Sequence, residues 1–249
     1  MARLSVNLNK IALLRNSRRT GVPDVEHFGR IAHDAGADGL TMHPRPDERH
    51  IRRDDVIGIA RLMAPWRPGF ELNIEGYPDE RLLELVREVR PEQCTLVPDA
   101  PGVLTSEEGW KLGPEQRAVV SPALAVLKAI GARVILFVDP DPAAVERVRA
   151  AGADGIEIYT GGYAAAFRAG APEVQRRACV ATARRAGELG LVVNIGHDLN
   201  LDNLPPLVAA MPEFAEASIG HELTADALVM GFAAAVRVYR AALNGGSVG

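Results

Sequence analysis

Four stretches decide how the chain folds: HDAGADGLTM at 33–42, KAIGARVILF at 128–137, RAAGADGIEI at 149–158 and GELGLVVNI at 187–195. In each, an amphipathic helical pattern ends on a glycine able to take the left-handed cap, and a short apolar run begins within a few residues. Such αβ connections, with runs apolar enough to be covered on both faces, mark a parallel sheet wrapped by helices.

Outward from these junctions the same alternation fills the chain. The predicted strands are 4–9, 38–43, 70–75, 93–97, 133–138, 154–159, 191–195 and 216–220. Between them lie stripes of helical period, such as Phe28, Ile31, Ala32 and Ala35, or Leu82, Leu83, Leu85, Val86 and Val89. Pro23, Pro78 and Pro142 stand where first helical turns should begin. Eight strand–helix units in 249 residues predict one α/β domain, residues 1–249, a single (β/α)8 TIM barrel with parallel strands and helices outside. No G-x-G-x-x-G follows the first strand, against a dinucleotide-binding sheet. The longest irregular stretch, about 98–114, reads as an active-site loop.

Composition narrows the class. A net charge of -4 argues against nucleic acid as a partner, although a local basic pocket remains open. No uncharged apolar run approaches the length of a membrane span, and the N-terminus turns polar too early for a signal peptide. Cys94 and Cys179 lie in apolar or helical patterns and read as packed thiols of a reducing, cytoplasmic compartment.

In such a barrel, functional groups gather where strands end and βα loops begin. Those positions hold Asn7 and Asn9, His43 and Arg45, Glu75, Thr105, Glu157 and Thr160, His197, and Gly220 with His221. The opposite ends offer nothing comparable. Glu75 closes an apolar strand, so burial should raise its pKa toward a general base's working range. His27 and His33, on the first amphipathic helix, read as solvated. The loop HPRPDERHIRRDD (43–55) concentrates two histidines and four arginines, and the guanidinium fork matches phosphate oxygens. Arg18, in the connection after strand one, could add an anionic contact. NIGHD (194–198) and SIGHE (218–222) repeat an I-G-H turn where barrels often bind phosphate. Two anion-binding regions on one mouth suggest two small phosphorylated substrates or one bisphosphate.

These segments together resemble the pyridoxine 5′-phosphate synthase family. The resemblance is carried by VNLNKIALLRNSR (6–18), AGADGLTMHPRPDERHI (35–51), LNIE (72–75), LVP (96–98), IEIYTGGYA (156–164), VNIGHDL (193–199) and SIGHEL (218–223). It implies condensation of 1-deoxy-D-xylulose 5-phosphate with 3-amino-2-oxopropyl phosphate, with no metal or redox cofactor, in a homo-octamer. It also implies that His43 and Glu75 accept protons and His197 donates one. By the same resemblance Asn7, Arg18, Gly220 and His221 contact the amino-ketone phosphate, and Arg45, His50 and Thr105 the deoxyxylulose phosphate. The sequence departs from the family at Asn9 and Lys10, usually Asp-His among the deoxyxylulose contacts, and at Asp198, usually Gly. Two other readings stay open. One is a metal-dependent sugar-phosphate epimerase or aldolase with His43, Glu75, His197 and His221 as ligands. The other is a phosphate-ligand sensor without catalysis.

Overall fold

The computed structural model describes residues 1–99, 108–212 and 214–245. Eight strands form a closed barrel in chain order, each parallel to its neighbours: β1 (Arg3–Asn7), β2 (Gly39–Met42), β3 (Glu71–Gly76), β4 (Gln93–Leu96), β5 (Arg133–Val138), β6 (Gly155–Tyr159), β7 (Val192–Gly196) and β8 (Glu216–Ile219). The first half of the outer layer comprises α1 (Asn9–Asn16), α2 (Val25–Asp34), α3 (Arg53–Met63), α4 (Glu80–Val89) and α5 (Pro114–Ala129). It is completed by α6 (Pro142–Ala151), α7 (Gly161–Arg168), α8 (Glu173–Glu188), α9 (Leu204–Ala210), α10 (His221–Met230) and α11 (Phe232–Leu243). The expected (β/α)8 barrel is present, with extra helices after β1, β6 and β8.

The glycines that suggested the fold adopt the backbone that the argument required. Gly36, Gly131, Gly152 and Gly190 have φ of +93°, +84°, +86° and +69°, so each turns the chain from helix into strand without a Cβ penalty. The prolines behave differently from one another. Pro142 is the first residue of α6, whereas Pro23 and Pro78 precede the caps Asp24 and Asp79. Those aspartates accept the N–H groups of His27 and Leu82, so the carboxylates rather than the prolines start α2 and α4. The first strand is also shorter than expected. Asn7 Oδ1 accepts the Asn9 N–H at 2.9 Å, an Asx turn that ends β1 and opens α1 at Asn9.

The expectation of strands apolar on both faces needs correction. Leu4, Val6, Leu40, Met42, Leu72, Ile74, Val134, Leu136, Ile156, Ile158, Val193 and Ile195 are buried and build the apolar core with the helices. Apart from Ile135 and Phe137 of β5, most alternate positions are polar and also buried: Ser5, Thr41, Asn73, Glu75, Gln93, Thr95, Glu157, Asn194, Glu216 and Ser218. They face the barrel interior, since they bond to one another across it. Gln93 Nε2 on β4 donates to Glu216 Oε1 on β8 at 3.0 Å, and Thr95 Oγ1 donates to Asn73 Oδ1 at 3.1 Å. Where barrels usually stack branched aliphatic side chains, this one holds a hydrogen-bonded polar interior. At the helix-to-strand end, Glu71 pairs with Arg3 and Arg133. All the strands but β5 therefore carry polar side chains inward toward the mouth, where β5 brings Phe137.

Candidate active site

The strand ends enclose a cavity of about 550 Å³. His43, Glu75 and His197 all line it, so the three residues expected from the second, third and seventh strands meet in one space. Asn7, Asn9, Lys10, Arg45, His50, Asp198, Gly220 and His221 line it too. Two expected residues do not join them. Arg18 stands exposed past the end of α1, which carries it outward, and is not part of the lining. Thr105 lies outside the described residues.

Two glycines give the functional side chains their room. A Cβ at Gly196 would come within 2.4 Å of Glu157 Oε1, and one at Gly220 within 2.9 Å of the Asn7 Cβ. Gly220 also caps α10, so SIGHE leads directly into a helix N-terminus with His221 as the first helical residue. The matching NIGHD turn does not. It takes left-handed backbone at His197 (φ 83°) and Asp198 (φ 55°) and reaches α9 only at Leu204. Thr160 Oγ1 donates to the carbonyls of Gly196 and His197, the latter at 2.6 Å, which fastens the turn.

Burial and charge set the protonation of these groups in opposite directions. Glu75 is buried, and desolvation together with the Glu216 and Asp99 carboxylates pushes it up to about 8. This agrees with the expectation from the sequence. Glu157 is driven the same way, by burial and by Glu75 and Glu216, and its Oε2 has no hydrogen-bond partner among the described residues. Burial holds His43 well below its ordinary value, reinforced by Arg45 and His50. His50 falls to about 4 from burial, Arg45 and Lys10. Its Nδ1 accepts the Ile51 N–H at 2.9 Å, so the neutral ring carries its proton on Nε2. His197 is lowered by burial, against the opposing pull of Asp198.

The arginine-rich loop divides. Arg45 is buried and pairs with Asp99, and Arg49 reaches the cavity while bound to Asp47. Arg53 turns away to Glu88 at the start of α3, and Arg52 is exposed there. Of the four arginines in this loop, Arg45 and Arg49 line the cavity and Arg52 and Arg53 do not. Lys10 and Asp198 share the cavity, yet neither makes an ion pair among the described residues. His33 is not simply solvated: its ring stacks on Trp66 at 3.8 Å between centroids.

Sequence reasoning missed Asp99, Phe137, Tyr159 and Glu222. Phe137 and Tyr159 pack against the His197 ring at 5.5 and 5.2 Å. Their signal was the period of two: Tyr159 shares the inward face with Glu157, and Phe137 with Ile135. Among the described residues no three His, Cys, Asp or Glu side chains stand so as to hold a metal ion.

The chain matches the family model described as "Pyridoxal phosphate biosynthesis protein PdxJ" over residues 4–245. It is 50% identical over 244 residues to the pyridoxine 5′-phosphate synthase of Allorhizobium ampelinum, covering 97% of each chain. It is 51% identical over 247 residues to that of Brucella suis, covering 98% of this chain and 99% of the relative. Among solved structures it resembles phosphoribosyl anthranilate isomerase from Thermotoga maritima (TM-score 0.57, 13% identity, 98% of this chain and 100% of that one). It also resembles the YdjI aldolase from Escherichia coli K12 (TM-score 0.60, 12% identity, 98% and 89%). At such identities these two structures speak for the fold alone.

Proposed function

The chain belongs to the PdxJ family of pyridoxal phosphate biosynthesis proteins and acts as a pyridoxine 5′-phosphate synthase; from that premise we propose that His43, Glu75 and His197 carry the proton transfers of its ring closure. The substrates are 1-deoxy-D-xylulose 5-phosphate and 3-amino-2-oxopropyl phosphate, and the products are pyridoxine 5′-phosphate, phosphate and water. The carrying observation is the convergence of the three residues in one cavity with cationic and amide donors around them.

Imine formation, dehydration, phosphate loss and aromatisation each move a proton at a different atom. His43, neutral at pH 7, is ready to accept one. Glu75, with its pKa pushed up to about 8, holds its proton at neutral pH and releases it when a cationic amine arrives and lowers that pKa. His197 is the donor. It starts neutral, and a phosphate dianion beside it raises its affinity for the proton it must pass on. Glu157, protonated and with an unmet Oε2, supplies a further neutral acid group. Asn7, Gly220 and His221 serve the amino-ketone phosphate, and Arg45, His50 and Lys10 the deoxyxylulose phosphate; Asp198 lines the same cavity. Incubating purified protein with both substrates should release pyridoxine 5′-phosphate, read by mass spectrometry. Absence of product with active substrate preparations would defeat the reading. The metal-dependent alternative would instead require activity that a chelator abolishes and stoichiometric metal restores.

The same reading includes a homo-oligomer, an octamer by the resemblance, working in the cytoplasm. No helix among the described residues is long and apolar enough to cross a membrane. Support for assembly comes from α1 and α10, which pack together and leave Leu14, Leu228 and Val229 exposed, the last at 89%. An apolar patch of this kind is normally covered by a partner. Val229→Glu should shift sedimentation toward smaller species, and an unchanged distribution would place the interface elsewhere.

A further inference from the structure

Three hydrogen bonds run in series between the two proton acceptors. Asn7 Nδ2 donates to Glu75 Oε2 at 3.5 Å. Asn7 Oδ1 accepts the Asn9 N–H at 2.9 Å, and Asn9 Oδ1 accepts the His43 N–H at 2.9 Å. The backbone amides can only donate, so each Oδ1 must be the atom that meets them, and both side-chain amides are oriented without ambiguity. Asn7 is thereby turned to offer its NH2 to Glu75. Asn9 spans from the first residue of α1 to the residue following β2, a sequence separation of 34.

We propose that Asn9 is a positioning residue, which sets His43 relative to Glu75 through this chain of bonds. The proposal rests on the acid–base reading above. The Asn9 Oδ1 accepts the His43 N–H, and this bond fixes the backbone at the point where the His43 side chain departs. Loss of that bond leaves a half-buried N–H without its partner and frees the His43 backbone to shift, and small displacements of a proton-transfer group are expensive in rate. The choice of amide over carboxylate has its own consequence. His43 is faced by Arg45 and His50 from its own loop, Arg81 of α4 and His197 after β7, and shares the cavity with Lys10 of α1 and Glu75 of β3. An uncharged acceptor at 9 keeps the bond while adding no anion that would favour the imidazolium.

Asn9→Ala and Asn9→Asp separate the two roles, measured as kcat and KM for each substrate across pH. In parallel, the His43 ring is titrated by NMR in the unliganded protein. Asn9→Ala should lower kcat about 10- to 100-fold with both KM values within about threefold, the pattern of lost alignment rather than lost binding. Asn9→Asp keeps the acceptor and should recover kcat to within about threefold at its own optimum. Its added anion should move the His43 titration and the acid limb of the profile to higher pH. A rise of about tenfold or more in KM for deoxyxylulose phosphate, with kcat retained, would overturn the proposal in favour of a substrate contact. An unmoved His43 titration in Asn9→Asp would overturn it as well. If Asn9→Ala does not fold, the Asn9→Asp kinetics and titration decide alone. No turnover by the unaltered protein would count against the functional reading, while the NMR titration would still judge the tether.

Discussion

Glu75→Gln should lower kcat by about 10²–10⁴-fold while making the protein more stable at pH 8. On the proposed reading, the activity loss follows from removing a group that gives and takes a proton near neutrality. The gain in stability follows from linkage. Glu75 has its folded-state pKa pushed up to about 8 by burial and by Glu216 and Asp99, above its unfolded value of 4.5. Below pH 4.5 both states are protonated and the residue is neutral in its effect. As pH rises from there to about 8, the unfolded chain ionises while the folded one resists, and stability is lost progressively. Glutamine keeps an oxygen for Asn7 Nδ2 and has no charge to bury, so the variant escapes that loss. Its melting temperature should exceed the wild type's by an amount that widens from pH 5 to pH 8. The difference should reach about 2–4 kcal/mol, a few units of pKa at roughly 1.4 kcal/mol each.

His197→Asn should produce a comparable loss of turnover, about 10²–10⁴-fold, with stability almost unchanged at neutral pH. Two local terms oppose one another. Histidine at φ 83° is strained by about 1–2 kcal/mol, and asparagine tolerates that backbone better. Against this, the packing of the ring on Phe137 and Tyr159 is lost, worth about 0.5–1.5 kcal/mol. The sum lies within about 1 kcal/mol of zero. The pH dependence is opposite in sign to that of Glu75. Burial holds the folded pKa of His197 below 6.5, so its contribution is present above that value and fades as pH falls, when the unfolded chain takes up the proton more readily. The asparagine variant should therefore gain on the wild type between about pH 7 and pH 5 in thermal melts. A loss of more than about 2 kcal/mol at pH 7 would indicate that His197 holds the turn together rather than serving the chemistry.

Much of the barrel was legible because its junctions are local. Gly36, Gly131, Gly152 and Gly190 each announce a helix end, and the strand follows within a few residues. The meeting of His43, Glu75 and His197 in one cavity was legible for a related reason: a parallel barrel sends every strand end to one mouth, so polar residues there meet whatever their separation in sequence. What escaped depends on contacts made through space. Asp99 is 54 residues from Arg45, and only the closed barrel sets the two together. The polar interior was hidden because strands of four to six residues carry just two or three inward positions, and their outward neighbours dominate the hydropathy. Arg18 read as a mouth residue because the connection after β1 looked like a loop, whereas α1 occupies it and carries the arginine outward. Asn9 read as a strand-end residue at a deoxyxylulose-contact position, and its bond to the His43 backbone across 34 residues has no local signature.

On the proposed reading, Glu75 serves the chemistry at the expense of stability. The most direct test measures turnover and thermal melting on one preparation of Glu75→Gln at pH 8, beside the wild type. Turnover of the two phosphorylated substrates should collapse while the melting temperature rises. Retained turnover, or a melting temperature that falls along with it, would contradict the account and make Glu75 a structural carboxylate.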